Sequence, residues 1–470
     1  MRRDRGGPHD RLLLVLLATT QFVICGDATV TNIALPTIGA DLRLSDGTLS
    51  WVTSAYVLAF GGFLLVGGRV VDLLGFARTL RVGLAIFGAA SLAGSFAPDA
   101  AWLICSRAVQ GLGAALLAPA GLAGVVRSFA DGERRTRAIS AVGAAAASSV
   151  ACGQVLGGVL TAAFGWSSVL LVNVPLCLAA YVVAVRTVPP RRRRAAVRGD
   201  LDLGGALTGT GGVALLLYAV VDAPPAGQGS TSTVWLLALA VALLVAFAAI
   251  ELRSSRPLLS WALLRTESVG IANAVALTSA TAMFGMVFLL ILYLQRTIGL
   301  SPLLAGLAFL PYGLVQLATI AVTPRAVRLF GAGTVVVAGC GLAATALVPL
   351  TVVPTHAGYR VVLPSLVLLA IGNGCFSVAI AVVGLEGVPE RVAGMAGSLL
   401  TASQQLGGAL GLAATAAVHG VAAAAATPLA ALRWGFALDL ALAAAATALA
   451  VPLARRRVAC PTAGQSRASA

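Results

Sequence analysis

Residues 11–36 read RLLLVLLATTQFVICGDATVTNIALP, and the fold follows from what this stretch can be. Between its first and last residues the only charge is Asp27. A nearly uncharged run of more than about 18 residues is long enough to cross the hydrocarbon core of a bilayer as a helix. The basic residues before it (Arg2, Arg3, Arg5) give it the outline of a signal peptide. No cleavage site interrupts the run before Pro36, so it is expected to stay as a first membrane span.

Outward from this stretch the pattern recurs. Apolar runs lie near 12–35, 48–68, 80–97, 101–125, 138–161, 167–186, 202–221, 233–250, 269–293, 303–323, 333–353, 361–384, 396–417 and 431–453, fourteen in all. Gly and Pro recur inside them, as membrane helices tolerate. The composition agrees: of 470 residues, 59% are apolar and 10% charged, against roughly 45–50% and 25% in soluble domains. A soluble enzyme is excluded, and so is one anchor carrying a large folded domain, because no long charged stretch is left to build it. Six of the seven cysteines sit in apolar runs and Cys460 in the tail, without metal-ligand spacing. They read as small apolar side chains, and neither a metal site nor a disulfide framework is expected.

The net charge of +15 rests on arginine alone, since the chain has no Lys. An all-Arg chain rich in Ala and Gly points to a GC-rich bacterial gene. Nucleic acid is one partner for such a charge, but arginine placement gives a better account. With the N-terminus inside, 27 of the 32 arginines fall on cytoplasmic segments, among them Arg69, Arg78, Arg81, Arg127, Arg134, Arg135, Arg137 and the run Arg191–Arg194. Four fall outside (Arg43, Arg296, Arg360, Arg433), and Arg107 lies within a span. This split puts both termini in the cytoplasm of a bacterial cell and requires an even number of spans. The expected organisation is an N-terminal six-helix bundle over 1–188, a basic linker with two inserted helices over 189–260, a C-terminal six-helix bundle over 261–454 and a cytoplasmic tail over 455–470. Two such bundles with a site between them at mid-membrane is a transporter plan.

Particular motifs narrow this further. The first span carries Asp27-Ala-Thr-Val-Thr-Asn-Ile-Ala-Leu-Pro36, and the loop after the second reads Gly68-Arg-Val-Val-Asp72-Leu-Leu-Gly75-Phe-Ala-Arg78. Arg107-Ala-Val-Gln110-Gly111-Leu-Gly113 follows in the fourth and Gly153-Gln-Val-Leu-Gly157-Gly158 in the fifth. Phe164-Gly-Trp166, Asn173-Val-Pro175, Ser301-Pro302 and Gln405-Leu-Gly407-Gly408 complete the set. In order and spacing these resemble the major facilitator superfamily, and within it the fourteen-helix drug:proton antiporters that include methylenomycin-resistance-type exporters. The resemblance implies an all-α polytopic membrane protein with the major facilitator fold, two six-helix bundles plus two inserted helices. It also implies proton-coupled efflux of small hydrophobic or amphipathic compounds such as antibiotics. Two positions depart from the family pattern. The Asp72 loop has Leu73 and Phe76-Ala77 where the family has basic residues, and Gln154 stands where its antiporter motif has Pro.

Asp27 is expected to take and release the proton, because an acid at membrane depth is costly and marks a functional site. It lies about 12 Å from the outer surface and Arg107 about 10 Å, at 1.5 Å per residue, so the two can meet. Gly68, Asp72, Gly75 and Arg78 read as a cytoplasmic latch, and Gly153, Gly157 and Gly158 as a close-packing face. Asp439, on a helix that the resembled fold makes peripheral, is expected to snorkel or pair locally. Cargo contacts are expected from Gln21, Asn32, Tyr56, Gln110, Asn273, Met283, Phe284, Tyr312, Gln316 and Asn373, an apolar set with scattered hydrogen-bonding groups suited to lipophilic cargo. The implied partners are that cargo, protons and the lipid bilayer, with no nucleic acid, no cofactor and a monomeric chain. A uniporter or importer of a small solute, or a lipid exporter, is the alternative. A membrane enzyme is disfavoured, since His9, His356 and His419 are scattered and no HExxH or nucleotide loop occurs.

Overall fold

Helices account for nearly all of the computed structural model, which describes residues 8–129, 133–188, 203–221, 231–253, 264–353, 359–388, 390–425 and 427–455. The first half contains α1 (Pro8–Asp41), α2 (Asp46–Leu74), α3 (Phe76–Ser95), α4 (Ala100–Ser128), α5 (Glu133–Phe164), α6 (Ser167–Leu171) and α7 (Asn173–Thr187). Next come α8 (Leu203–Val221) and α9 (Thr231–Arg253). The second half contains α10 (Glu267–Leu292), a π-helical turn over Tyr293–Thr297, α11 (Pro302–Ala308), α12 (Leu310–Phe330), α13 (Ala332–Thr351), α14 (Tyr359–Leu385), α15 (Glu390–Ala425) and α16 (Pro428–Arg455). Twelve of these segments are long and apolar enough to cross a membrane, and the end of α5 and α8 add two shorter apolar stretches. With α6–α7 and α11–α12 each forming one span, the layout is fourteen-membered. The basic run Arg191–Arg194 and the tail from residue 456 lie outside the described residues.

Local chemistry sets the helix ends. Ser45 caps α2 by accepting from the Thr48 amide, Asp99 caps α4 by accepting from the Trp102 amide, and Ser301 caps α11 with Pro302 behind it. The sequence reads 167–186 and 303–323 as unbroken spans, but the structure interrupts both. The interruptions sit beside Pro175 and Pro311. A proline has no N–H, so the carbonyls of Leu171 and Leu307, four residues earlier, lose their helical donors.

The two halves repeat one packing scheme. In the first, α1 packs on α5, α2 on α4, and α3 on α4 and α7; in the second, α10 packs on α15, α12 on α14, and α13 on α14 and α16. Even the turns match. Gly75 (φ 80°) joins α2 to α3 and Gly331 (φ 84°) joins α12 to α13, and each amide closes the preceding helix. Positive φ of this size is cheap only for glycine. The halves meet along two matched seams, α2 with α15 and α5 with α11 and α12. Glycines make the close approaches. A Cβ on Gly157 would meet the Val30 carbonyl of α1 at 2.6 Å, and one on Gly158 would meet the Pro302 carbonyl of α11 at 2.6 Å. The extra pair α8–α9 packs on itself, and α8 also touches α2 and α15.

The end of the molecule bearing Arg43, Arg296 and Arg433 is closed. Ile33, Leu35, Ile38 and Leu49 of the first half share one buried cluster with Phe288, Leu292 and Phe309 of the second. The π turn, in which the Ile298 amide reaches back to the Tyr293 carbonyl at 2.9 Å, carries polar ties across the same end. Gln295 donates to the Ile33 carbonyl at 2.9 Å, and Arg296 pairs with Asp46 at 2.5 Å. His419 of α15 approaches the other oxygen of Asp46 at 3.5 Å. At the arginine-rich end a cavity of about 420 Å³ lies between α2, α4 and α15 instead.

Candidate functional site

Between the halves lies a second cavity, about 240 Å³, walled by both. The first half contributes Cys25, Ala28, Thr29, Asn32, Tyr56, Phe60 and Gln154; the second contributes Met283, Phe284, Phe309, Tyr312, Gln316, Asn373 and Gln405. Aromatic, methionine and amide side chains alternate, and no charged residue is among its walls. Some of the polar groups already have partners. Asn32 accepts from Thr53 at 3.0 Å, and Asn373 donates to the Tyr312 hydroxyl at 3.0 Å. The Gln154 side-chain oxygen is buried with no hydrogen-bond partner.

Seven of the ten sequence-predicted cargo residues line this cavity: Asn32, Tyr56, Met283, Phe284, Tyr312, Gln316 and Asn373. Three do not, and this corrects the expectation for them. Gln21 lines a separate pocket with Val142 and Ala146. Asn273 turns into the second half, where it donates to the Val269 carbonyl at 2.8 Å and accepts from Ser403 at 2.8 Å. Gln110 is fully engaged in the first half, as follows. In the last two cases an amide buried in a bundle satisfies itself internally and is lost to the cavity.

Behind the cavity wall sits a sealed polar cluster. Asp27 and Arg107 form an ion pair with both side chains 0% exposed. Gln110 and Asn173 each donate to one Asp27 oxygen, at 2.9 and 2.6 Å. Every partner of Asp27 is a donor, so here it acts as a pure acceptor, as a carboxylate does. Arg107 also donates to the Val52 carbonyl at 3.0 Å and to the Gln110 oxygen at 2.5 Å, and Gln110 donates to Ser91 at 2.8 Å. The guanidinium lies 4.5 Å from the Tyr56 ring centre, and the Tyr56 hydroxyl donates to the Ile24 carbonyl at 2.9 Å. Tyr56 therefore belongs to both places: one part of it walls the cavity and the other covers the cation. Sequence reasoning paired Asp27 with Arg107 but missed Asn173 and Ser91 as members. The motif Asn173-Val-Pro175 was the available signal.

The other expected elements are placed as follows. Asp72 is 78% exposed and 3.8 Å from Arg127. Arg78 is half-buried. Gly68 has open space around it and no close helix contact, whereas Gly75 makes the turn described above. Gly153 packs against Thr29 of α1. Asp439 does not snorkel but is paired locally. It is fully buried, and Thr415 of α15 is its partner at 2.9 Å.

Comparison with known proteins bears on this geometry. Residues 17–412 match the Major Facilitator Superfamily. The chain is 37% identical to a cephamycin export protein of Amycolatopsis lactamdurans, over 87% of this chain and 84% of that one. It is 39% identical to a puromycin resistance protein of Streptomyces alboniger, over 85% and 80%. It is 32% identical to a methylenomycin A resistance protein of Streptomyces coelicolor, over 86% and 85%. Among solved structures, a peptide transporter in complex with sulfate superposes with a TM-score of 0.70 at 17% identity, covering 94% and 95% of the two chains. A bacterial homolog of the human lysosomal transporter Spinster, inward-facing and unoccupied, gives 0.68 at 15% identity, covering 96% and 98%. At these identities the superpositions establish the fold alone.

Proposed function

The chain belongs to the major facilitator superfamily, a multi-pass membrane protein and a transporter, and from that premise we propose that it exports small hydrophobic or amphipathic compounds, antibiotics among them, in exchange for protons. Similarity to proteins named for cephamycin export and for puromycin and methylenomycin resistance supports outward movement of antibiotics. The arginine-rich end faces the cytoplasm of a bacterial cell, with both termini on that side. The sealed end then faces outward, and alternating access opens it while the α2–α4–α15 cavity closes.

One observation carries the coupling. Tyr56 walls the cavity and caps the Asp27–Arg107 pair, so cargo that moves the ring disturbs the partners of the only acid in that cluster. Protonation of Asp27 would release Arg107, and re-forming the pair would expel the proton. The lining of aromatic, methionine and amide groups without a charge suits neutral lipophilic or amphipathic cargo. The proton gradient supplies the energy to a monomer, with no cofactor and no nucleic acid.

The test is transport of a panel of dyes and antibiotics into everted vesicles, with the proton gradient present or collapsed. Uptake that is indifferent to the gradient would refute exchange.

A further inference from the structure

The second half holds a buried acid of its own in a different setting. Asp439 of α16 is 0% exposed; Thr415 donates to one oxygen at 2.9 Å, and the other oxygen is buried with no hydrogen-bond partner. The packing makes room for it. Gly285 of α10 faces the carboxyl, and a Cβ there would come within 2.5 Å of it. Through the repeat, α10 corresponds to α1 and α16 to α7. Asp27 of α1 meets Asn173 of α7; Gly285 of α10 meets Asp439 of α16. At this matched contact the acid has changed helices and has no guanidinium beside it.

Helices α10, α13 and α15 pack against α16. The charged and titratable side chains on them and on α16 are accounted for elsewhere. Glu267 opens α10, about 27 Å along the helix from Gly285 at 1.5 Å per residue. Cys340 of α13 lines a neighbouring pocket with Ala443 and Ala446. His419 of α15 meets Asp46, and Arg433 of α16 donates to the Val353 carbonyl. Glu390 and Arg391 begin α15 and Arg455 ends α16, at the arginine-rich end. An ionised carboxylate with one hydroxyl donor and no cation is poorly accommodated in an apolar interior, whereas the neutral acid is not.

We propose that Asp439 is a second proton-binding site, in the C-terminal bundle, and that its proton is bound in the conformation described here. Ionisation then requires water to reach the carboxyl, so the contact between α10, α15 and α16 must loosen. Met283 and Phe284, the two residues before Gly285, line the central cavity, which puts this contact directly behind the cargo. A proton taken up by the carboxylate on one side is given up as H⁺ on the other. The site itself stands on its geometry; its part in transport rests on the antiport reading.

Infrared spectroscopy of the purified protein at neutral pH tests the site without transport. A carboxylic-acid carbonyl band is expected in the wild type, lost in Asp439→Asn and shifted in Thr415→Val, which removes the one donor. If neither substitution changes such a band, the site is refuted. Thr415→Val keeps the test decisive should Asp439→Asn fail to fold. Transport of the neutral lipophilic dye Nile red in everted vesicles tests the role. Asp439→Asn is expected to lose the response to a proton gradient that the wild type has, and a retained response overturns the coupling. A wild type indifferent to the gradient sinks the antiport reading while leaving the infrared result standing.

Discussion

Neutralising Asp27 alone strands a cation. In Asp27→Asn, Arg107 keeps its bonds to the Val52 carbonyl and the Gln110 oxygen and its contact with Tyr56. It loses its only countercharge while 0% exposed. The Asn oxygen still accepts from Gln110 and Asn173, so the main cost is the unpaired charge, about 3–5 kcal/mol for breaking a buried pair. Arg107→Gln costs less, because Asp27 without its cation can take up a proton and sit neutral. The double variant Asp27→Asn/Arg107→Gln buries no charge, and neutral replacement of a buried pair is often close to neutral or stabilising. Coupling between the sites is then at least about 3 kcal/mol, well above the roughly 0.3–0.5 kcal/mol scatter of independent sites. The assay is the thermal unfolding midpoint of the three purified variants and the wild type in one detergent. Asp27→Asn should fall well below the wild type and Arg107→Gln less far, and the double should recover above Asp27→Asn. A double variant as unstable as the two losses combined would refute the reasoning, since the pair would then be two independent polar sites.

Four further outcomes follow from the same contacts. Tyr56→Phe keeps the ring over Arg107 but removes the hydroxyl's bond to the Ile24 carbonyl, which the α1 ladder still satisfies, costing about 0.5–1.5 kcal/mol; Tyr56→Leu also removes the cation–π contact, worth up to about 2 kcal/mol, so the unfolding midpoints should fall in that order. Gln154→Leu replaces the cavity's unpartnered amide oxygen and should weaken efflux of cargo that donates a hydrogen bond while sparing cargo without a donor, read as half-saturation concentrations for two such compounds. Gly158→Val drives a branched side chain into the Pro302 carbonyl, an overpacking of about 1–3 kcal/mol or more, and should lower both stability and turnover, with Gly68→Val as the benign control for stability alone because open space surrounds that glycine. Asp46→Ala removes the partner of both Arg296 and His419 and should raise labelling of Cys25, in a background with that cysteine alone, by an impermeant maleimide added outside; unchanged labelling would mean that the apolar cluster seals this end unaided.

Much of the architecture was legible in the order of apolar runs and the side on which arginines fall, because a bilayer imposes length and charge rules that a sequence cannot conceal. Asp27 and Arg107 could be matched by counting helical rise alone. What counting could not supply was rotation. Helices such as α10 and α14 are apolar on nearly every face, so no polar stripe says which side looks inward. Gln110, Asn273 and Asn373 look alike in sequence, yet the first two close networks inside a bundle and the third lines the cavity. For Asp439 the depth was readable, but the glycine on α10 that makes room for it is distant in sequence. The breaks beside Pro175 and Pro311 were hidden because membrane helices so often absorb a proline without stopping.

The inserted pair has one more implication. Because α8 leans on both α2 and α15, it covers one of the two seams between the bundles, while the matched seam of α5 with α11 and α12 has no such cover among the described residues. The doubled symmetry of the halves is thus broken on the lipid side. A greasy molecule dissolved in the membrane therefore meets one flank shielded by an extra helix and one that is bare, where the close contact of Gly158 with Pro302 stands as a barrier.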